Sequence, residues 1–227
     1  MKKLIIIPAY NEYENLARTI NDVKAHAPDY DYVIIDDCST DGTAQLCREQ
    51  GFSMIHLPVN LGIGGAVQTG YLYARERNYD IAVQIDGDGQ HNTRYLKDME
   101  KIMVSCGADM VIGSRFIKRE GFQSSNLRQM GIRYFSWLIR VLTGARITDP
   151  TSGMRMVNRE LIRLFASEYP KDYPEPESVA WILKKHKQVA ELPVMMNARE
   201  KGVSSISPVN SVYYMIKVTL AVILACF

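Results

Sequence analysis

The chain reads as an α/β protein with a mostly parallel central sheet and helices on both faces. Three observations carry this. Short β-branched runs recur at Leu4 to Ile7, Tyr32 to Ile35, Ser53 to Leu57, Ile81 to Ile85 and Met110 to Ile112. Stretches of helical periodicity lie between them, at Glu14 to Ala25, Thr43 to Gln50, Gly65 to Arg77 and Arg94 to Val104, and alternating strands and helices of this kind build βαβ units. Acidic, turn-forming loops close several of the runs, at the strand ends where open α/β sheets hold their ligands.

The elements follow in order. Met1-Lys2-Lys3 leads into an apolar run that stops at Pro8, too short for the core of a secretory leader, so the first strand is expected to begin at once. Pro8-Ala9-Tyr10-Asn11-Glu12 closes that strand, and Asp36 to Thr43 closes the second, with Asp41-Gly42-Thr43 reading as a turn and helix cap. Gly62-Ile63-Gly64 approaches a dinucleotide-binding glycine pattern, but Val67 fills its last glycine position and the first βα turn has no glycine. No G-x-x-x-x-G-K-[ST] loop occurs, so a nicotinamide dehydrogenase or a P-loop enzyme is disfavoured. After residue 113 the alternation weakens. A polar loop through Ser125 leads to an amphipathic helix from Leu127 to Leu142, a short Thr151 to Val157 segment, two further helices and a strand from Val189 to Val194.

The final stretch differs. From Ser211 to Phe227 the only charge is Lys217, and the unbroken uncharged run Val218 to Phe227 follows it, apolar but for Thr219. The stretch falls just short of the about 20 residues that cross a bilayer as a helix. Apolar residues on nearly every side argue against a solvated surface helix. The expectation is one domain over residues 1–206 and an apolar C-terminal helix over 207–227 that enters a membrane interface or docks on a membrane partner, with Tyr213 and Tyr214 near the headgroups.

With 227 residues, 47% hydrophobic and 23% charged, the chain has the composition of a globular core. A net charge of +2 gives no basic face for nucleic acid. Cys38, Cys47, Cys106 and Cys226 form no C-x-x-C pair, which argues against a zinc site or a disulfide framework and fits a reducing compartment.

Asp86-Gly87-Asp88-Gly89-Gln90 is the most informative segment. It sets Asp86, Asp88 and Gln90 as oxygen ligands at alternate positions after a buried strand, a donor set that suits Mg²⁺ or Mn²⁺ bridged to phosphates. An EF-hand fails on spacing, because Gln90, His91 and Lys97 would fall where an acid, a glycine and a glutamate are needed. Asp36 and Asp37, at the end of the second strand, can accept hydrogen bonds from a base or ribose. The pattern points to phosphorylated or nucleotide-linked substrates.

Together these segments resemble a family 2 glycosyltransferase of the A-type nucleotide-sugar fold, in the dolichyl-phosphate mannose synthase-like, polyprenyl-phosphate branch. The marks are Pro8 to Glu12, Asp36 to Thr43, Asn60-Leu61-Gly62, Asp86 to Gln90, Gly113-Ser114-Arg115-Phe116, Asp149-Pro150-Thr151-Ser152-Gly153-Met154-Arg155 and Arg199 to Ser205. The resemblance implies that residues 1–115 form the nucleotide-sugar half and 116–206 the acceptor half. Pro8, Tyr10, Glu12, Ile35 and Asp37 would hold the nucleoside. Asp86, Asp88 and Gln90 would carry the metal and the donor diphosphate, and Arg115 and Arg199 would contact phosphates, which suits the guanidinium fork. Ser204-Ser205 stands where such synthases typically show a lysine, and Lys201 could substitute.

The leading expectation is an inverting, metal-dependent hexosyltransferase working from a nucleotide sugar, UDP-glucose favoured, onto a polyprenyl phosphate. It would sit peripherally on the cytoplasmic face of the cell membrane, against the lipid or a small membrane-protein partner, and the resemblance admits a homo-oligomer. Ser152, Arg155 and the Leu127 to Leu142 helix are assigned to the lipid-phosphate side. A lipid phosphate is already anionic and needs no base, whereas a sugar hydroxyl in cell-wall or surface polysaccharide synthesis would need one. Asp149, Glu175 and Glu177 are the candidates, with Glu177 entered beside Asp88, Arg115 and Arg155 as catalytic. From a different class comes a non-catalytic nucleotide-sugar-binding subunit of a membrane complex.

Overall fold

The computed structural model describes residues 1–118, 126–197 and 208–227. Its elements run β1 (Lys3–Ala9), α1 (Tyr13–His26), β2 (Asp31–Asp36), α2 (Thr43–Glu49), β3 (Met54–His56), α3 (Gly62–Glu76), β4 (Ile81–Gln84), α4 (Leu96–Cys106), β5 (Met110–Ser114), α5 (Asn126–Thr143), β6 (Arg155–Asn158), α6 (Arg159–Ser167), α7 (Pro174–Lys184), β7 (Val189–Pro193) and α8 (Pro208–Leu224). The strands form one sheet in the order β3-β2-β1-β4-β6-β5-β7. Only β6 is antiparallel to its neighbours, so the sheet is mostly parallel as expected.

The period-two geometry of a strand splits its side chains between two layers. Leu4 and Ile6 of β1 join Val33 and Ile35 in a core shared with α3, α5, α6, α7 and α8. Ile5 and Ile7 face the other way and join Ile34, Leu16 and Ile20 in a core with α1, α2 and α4. Both sets are fully buried, and a strand covered on both faces must be apolar at successive positions.

Two segments differ from the sequence reading. The helix expected from Arg94 opens with a 3₁₀ turn at Thr93–Tyr95, where the Asn92 side chain accepts from the Arg94 amide at 3.1 Å. The Thr151 to Val157 segment is a strand only from Arg155 onward. Residues 148–154 lie at the edge where β4 and β5 end. β6 therefore enters the sheet from that edge and runs back between them, antiparallel to both.

One side of the C-terminal helix α8 docks on the body and shares the main core. Val218, Val222 and Cys226 are buried in it. Tyr214 meets Phe135 and Tyr173 edge-on, with ring centroids 5.8 Å and 4.6 Å away, and Lys217 pairs with Asp172 at 2.6 Å. No packing boundary separates this helix from the body, because one side of it fills the gap beside α5 and α7. Among the described residues no helix is long and apolar enough to cross a membrane.

Candidate active site

The loops after β1, β2 and β4 and the loop leading into β6 meet at one edge of the sheet. Asn11 holds the first two together. It takes a positive φ of 57°, which asparagine tolerates, and its Oδ1 accepts from the Thr40 amide at 2.8 Å and the Asp41 amide at 3.3 Å. Asp41 Oδ1 accepts from the Thr43 amide at 2.9 Å and closes the turn that leads into α2, whose N-cap position is Gly42.

At the end of β2, Asp37 is buried, its amide donates to the Ala9 carbonyl at 2.9 Å, and its Oδ1 accepts from the Leu61 amide at 2.7 Å. These bonds draw the Asn60-Leu61-Gly62 segment over the end of β2. Tyr10 is half exposed and Glu12 accepts from the Asn15 side chain at 2.8 Å. Pro8 is buried beside Ile35 in the register of β1 and β2. Ile35, expected to help hold the nucleoside, is wholly enclosed in the core and its side chain presents no surface to a ligand.

The Asp86 to Gln90 turn follows β4 as expected. Gly89 takes a φ of +74°, and Asp88 Oδ1 accepts from the Gln90 amide at 3.0 Å, which closes the turn. His91 folds back beneath it. Its Nδ1 accepts from the Asp86 amide at 2.9 Å, which places the ring proton on Nε2, 3.7 Å from the Asp86 carboxylate. Opposite stands Gly153, where a Cβ would lie 3.0 Å from Asp86 Oδ1 and 3.3 Å from His91 Cε1. The missing side chain leaves the Asp86 carboxylate open to the cleft.

Among the described residues no three carboxylate, imidazole or thiolate groups converge as a closed metal cage. Two carboxylates at alternate positions on a turn nonetheless fit an ion of the Mg²⁺ type, which takes one or two protein carboxylates and completes its shell with water and substrate phosphates. Asp86 and Asp88 would hold it. The Gln90 amide is drawn toward residue 197, with its Nε2 3.5 Å from the Asn197 carbonyl.

The loop leading into β6 is built around a buried ion pair. Arg115 donates to Asp149 at 2.6 Å and 2.8 Å, and to Thr151 Oγ1 at 3.0 Å. Burial opposes the guanidinium charge, but the bonds and charge of Asp149 outweigh it and hold the Arg115 pKa above its ordinary value. Glu191 of β7 anchors the same loop, accepting from the Thr148 amide at 2.8 Å and the Asp149 amide at 2.9 Å. Burial raises its pKa, and those bonds work in the opposite direction. Sequence reading passed over Glu191 because it sits in an ordinary strand; the pairing of β5 with β7 brings it here.

Several expected residues stand elsewhere in the geometry. Arg155 is fully buried, and its guanidinium donates to the Ser152 and Pro150 carbonyls, both at 2.7 Å, and to Ser178 Oγ at 2.8 Å. Ser152, also buried, donates to the Gly113 carbonyl at 2.7 Å. Both brace the loop from within instead of presenting a surface to a lipid phosphate. Glu177 lines a pocket with Trp181, Lys184 and Phe227, whereas Glu175 feels the charges of Arg155, Asp86 and Arg115. The two positions differ by about 200° around a helix. Burial raises the Glu175 pKa, with Arg155 opposing and the Asp86 charge assisting. Burial also raises that of Glu177. Arg199, Lys201 and Ser204-Ser205 lie outside the described residues.

Residues 4–165 match the model of the glycosyl transferase family 2 domain. The chain belongs to glycosyl transferase family 2. Among relatives of this transferase, the undecaprenyl-phosphate mannosyltransferase of Micrococcus luteus is 30% identical over 91% of this chain and 88% of its own. The polyprenol monophosphomannose synthase of Mycolicibacterium smegmatis is 30% identical over 96% of this chain and 85% of its own. These relatives place the transferase in the polyprenyl-phosphate branch. Glucosyl-3-phosphoglycerate synthase from Mycobacterium tuberculosis, solved with Mn²⁺ and UDP-glucose, superposes with a TM-score of 0.75 at 18% identity, covering 99% of this chain and 78% of that one. That likeness confirms the A-type fold.

Proposed function

We propose that this glycosyltransferase moves a hexose, with inversion, from a nucleotide sugar to a polyprenyl phosphate at the cytoplasmic face of the membrane, using Mg²⁺ or Mn²⁺. UDP-glucose is the favoured donor. The observation that carries the reading is the pair of carboxylates, Asp86 and Asp88, on the turn that ends β4, with Gly153 leaving room beside Asp86 and the Asp86 charge acting on the ion-paired Arg115. The names of the relatives support a lipid-phosphate acceptor, and one of them, from Methanococcus voltae, is described as using UDP-N-acetylglucosamine and dolichyl phosphate.

Displacement of a nucleoside diphosphate requires stabilising the charge that leaves. A divalent ion bound by Asp86 and Asp88 would neutralise that diphosphate. Asp37, Glu12 and Tyr10 would orient the nucleoside, and Arg115, held by Asp149, adds fixed positive charge beside the diphosphate. The acceptor phosphate is already ionised and attacks without giving up a proton.

A hydroxyl acceptor in surface polysaccharide synthesis is the second reading, and one observation supports it: Glu175 is near enough to Arg155, Asp86 and Arg115 for their charges to act on its carboxyl, where a base for such an acceptor would be needed. The non-catalytic alternative is set aside, since the family is one of catalysts and the donor-site carboxylates are intact.

The test is a donor screen with detergent-dispersed undecaprenyl phosphate, scored by lipid-linked product with and without EDTA. Product that depends on added Mg²⁺ or Mn²⁺ and vanishes in Asp88→Ala is expected. Glycoside formed only on soluble sugars would overturn the acceptor, and full turnover in EDTA would remove the metal.

A further inference from the structure

α5 and α8 lie side by side, and each turns a stripe of large apolar side chains outward. On α5 the stripe is Met130, Trp137 and Val141; on α8 it is Ile216, Leu220 and Leu224. The spacings keep each set on one face of its helix. Trp137 is 58% exposed and Leu220 56%, although both helices bury their opposite sides in the main core. The two stripes are continuous. Thr219 Oγ1 donates to Tyr134 Oη at 3.2 Å across the seam, and an apolar groove of about 300 Å³ runs between Tyr134, Met215, Ile216, Thr219 and Leu220.

Such a face is rare on a soluble monomer and marks a contact surface. The charge around it decides the partner. Neither α5 nor α8 contains an Asp or Glu, whereas α5 carries Arg128, Arg133 and Arg140, all exposed; Lys217 of α8 is already paired with Asp172. Arg133 and Arg140 flank the apolar stripe on α5. Apolar side chains bordered by cations, with no anion on either helix, match the boundary between acyl chains and anionic headgroups. No described helix is long and apolar enough to cross a bilayer.

We infer that the paired outer faces of α5 and α8 form one platform that seats the enzyme on an anionic lipid surface. This inference rests on the lipid-acceptor reading for its purpose, though not for its geometry. The platform is tied to the cleft. Tyr214, on the inner side of α8, packs against Tyr173, which immediately precedes α7 and Glu175. Seating the platform therefore fixes the cleft relative to the lipid surface.

The experiment uses the full chain and sedimentation with vesicles of one part phosphatidylglycerol to two parts phosphatidylcholine, compared with pure phosphatidylcholine. The wild type should pellet with the anionic vesicles and be released by salt. Ile216→Glu with Leu220→Glu should abolish pelleting while circular dichroism and nucleotide-sugar affinity stay unchanged. Arg133→Glu or Arg140→Glu should weaken partitioning at least ~5-fold each, as expected for a juxtamembrane cation. Vesicle binding that survives the double Glu variant would overturn the inference. So would a wild type that ignores both vesicles, or one that forms a dimer broken by the same substitutions, since the occupant would then be a second copy. An enzyme that glycosylates dispersed undecaprenyl phosphate but ignores vesicles refutes the platform alone. One that binds vesicles through these residues but makes no lipid-linked product refutes the acceptor reading alone.

Discussion

Asp149→Asn should destabilise the fold substantially, because Asp149 is the hub of the loop leading into β6. Its carboxylate is fully buried and receives the Arg115 guanidinium at 2.6 Å and 2.8 Å, the Arg115 amide at 3.2 Å and Thr151 Oγ1 at 3.1 Å. The Arg115 side chain is only 12% exposed, so water cannot replace the lost partner. Unit charges about 4 Å apart attract by roughly 4 kcal/mol at an effective dielectric near 20. Removing one member of a buried pair costs about 3–5 kcal/mol. Asparagine keeps one acceptor, so about 3 kcal/mol is expected. For a domain of this size that lowers Tm by roughly 6–12 °C. Urea and thermal melts followed by circular dichroism measure it. Replacing both partners, as Arg115→Met with Asp149→Leu, should recover much of the loss, since no charge is then stranded. A cost below about 1 kcal/mol for Asp149→Asn would show that the pair behaves as an exposed one, and the reasoning would fail.

The remaining predictions concern the cleft. Glu175→Gln should reduce kcat by less than about tenfold if the acceptor is a lipid phosphate, whereas a loss of 10²–10⁴-fold with donor binding intact would identify a general base and a hydroxyl acceptor; Glu177→Gln should change little in either case. The raised pKa of Glu175 favours its protonated form in the fold, so its stabilising contribution is complete below the ordinary glutamate pKa and is lost as pH rises through the raised value. Glu175→Gln should accordingly gain stability relative to the wild type as pH increases, and melts showing a constant difference across that range would contradict this. Gly153→Ala sets a methyl 3.0 Å from Asp86 Oδ1. Overpacking of about 1–3 kcal/mol should weaken metal-dependent nucleotide-sugar binding roughly 5- to 150-fold with the fold retained, and titration calorimetry showing wild-type affinity would refute it.

The layered core and the turns that end β1, β2 and β4 were legible in the sequence because both are local. Leu4 to Ile7 and Ile81 to Ile85 announce strands covered on both faces, and the residues that follow a strand are committed to its end wherever the strand goes. Asp86, Asp88, Asp37 and the Asp41 turn therefore lie where their motifs placed them. The loop leading into β6 and its surroundings were not legible in the same way, because their side chains are defined by partners far along the chain. Arg155 reads as a free cation until the Pro150 and Ser152 carbonyls and Ser178 enclose it, and Glu191 reads as an ordinary strand residue until β7 pairs with β5. Glu175 and Glu177 are indistinguishable in a run of Pro and Glu, and only the docking of α7 decides which one feels the charges of Arg155, Asp86 and Arg115. The apolar content of residues 211–227 required burial of some kind. Tertiary packing divided it, giving Val218 and Val222 to the protein core and leaving Ile216 and Leu220 outside, since a helix laid against α5 and α7 covers only one of its sides.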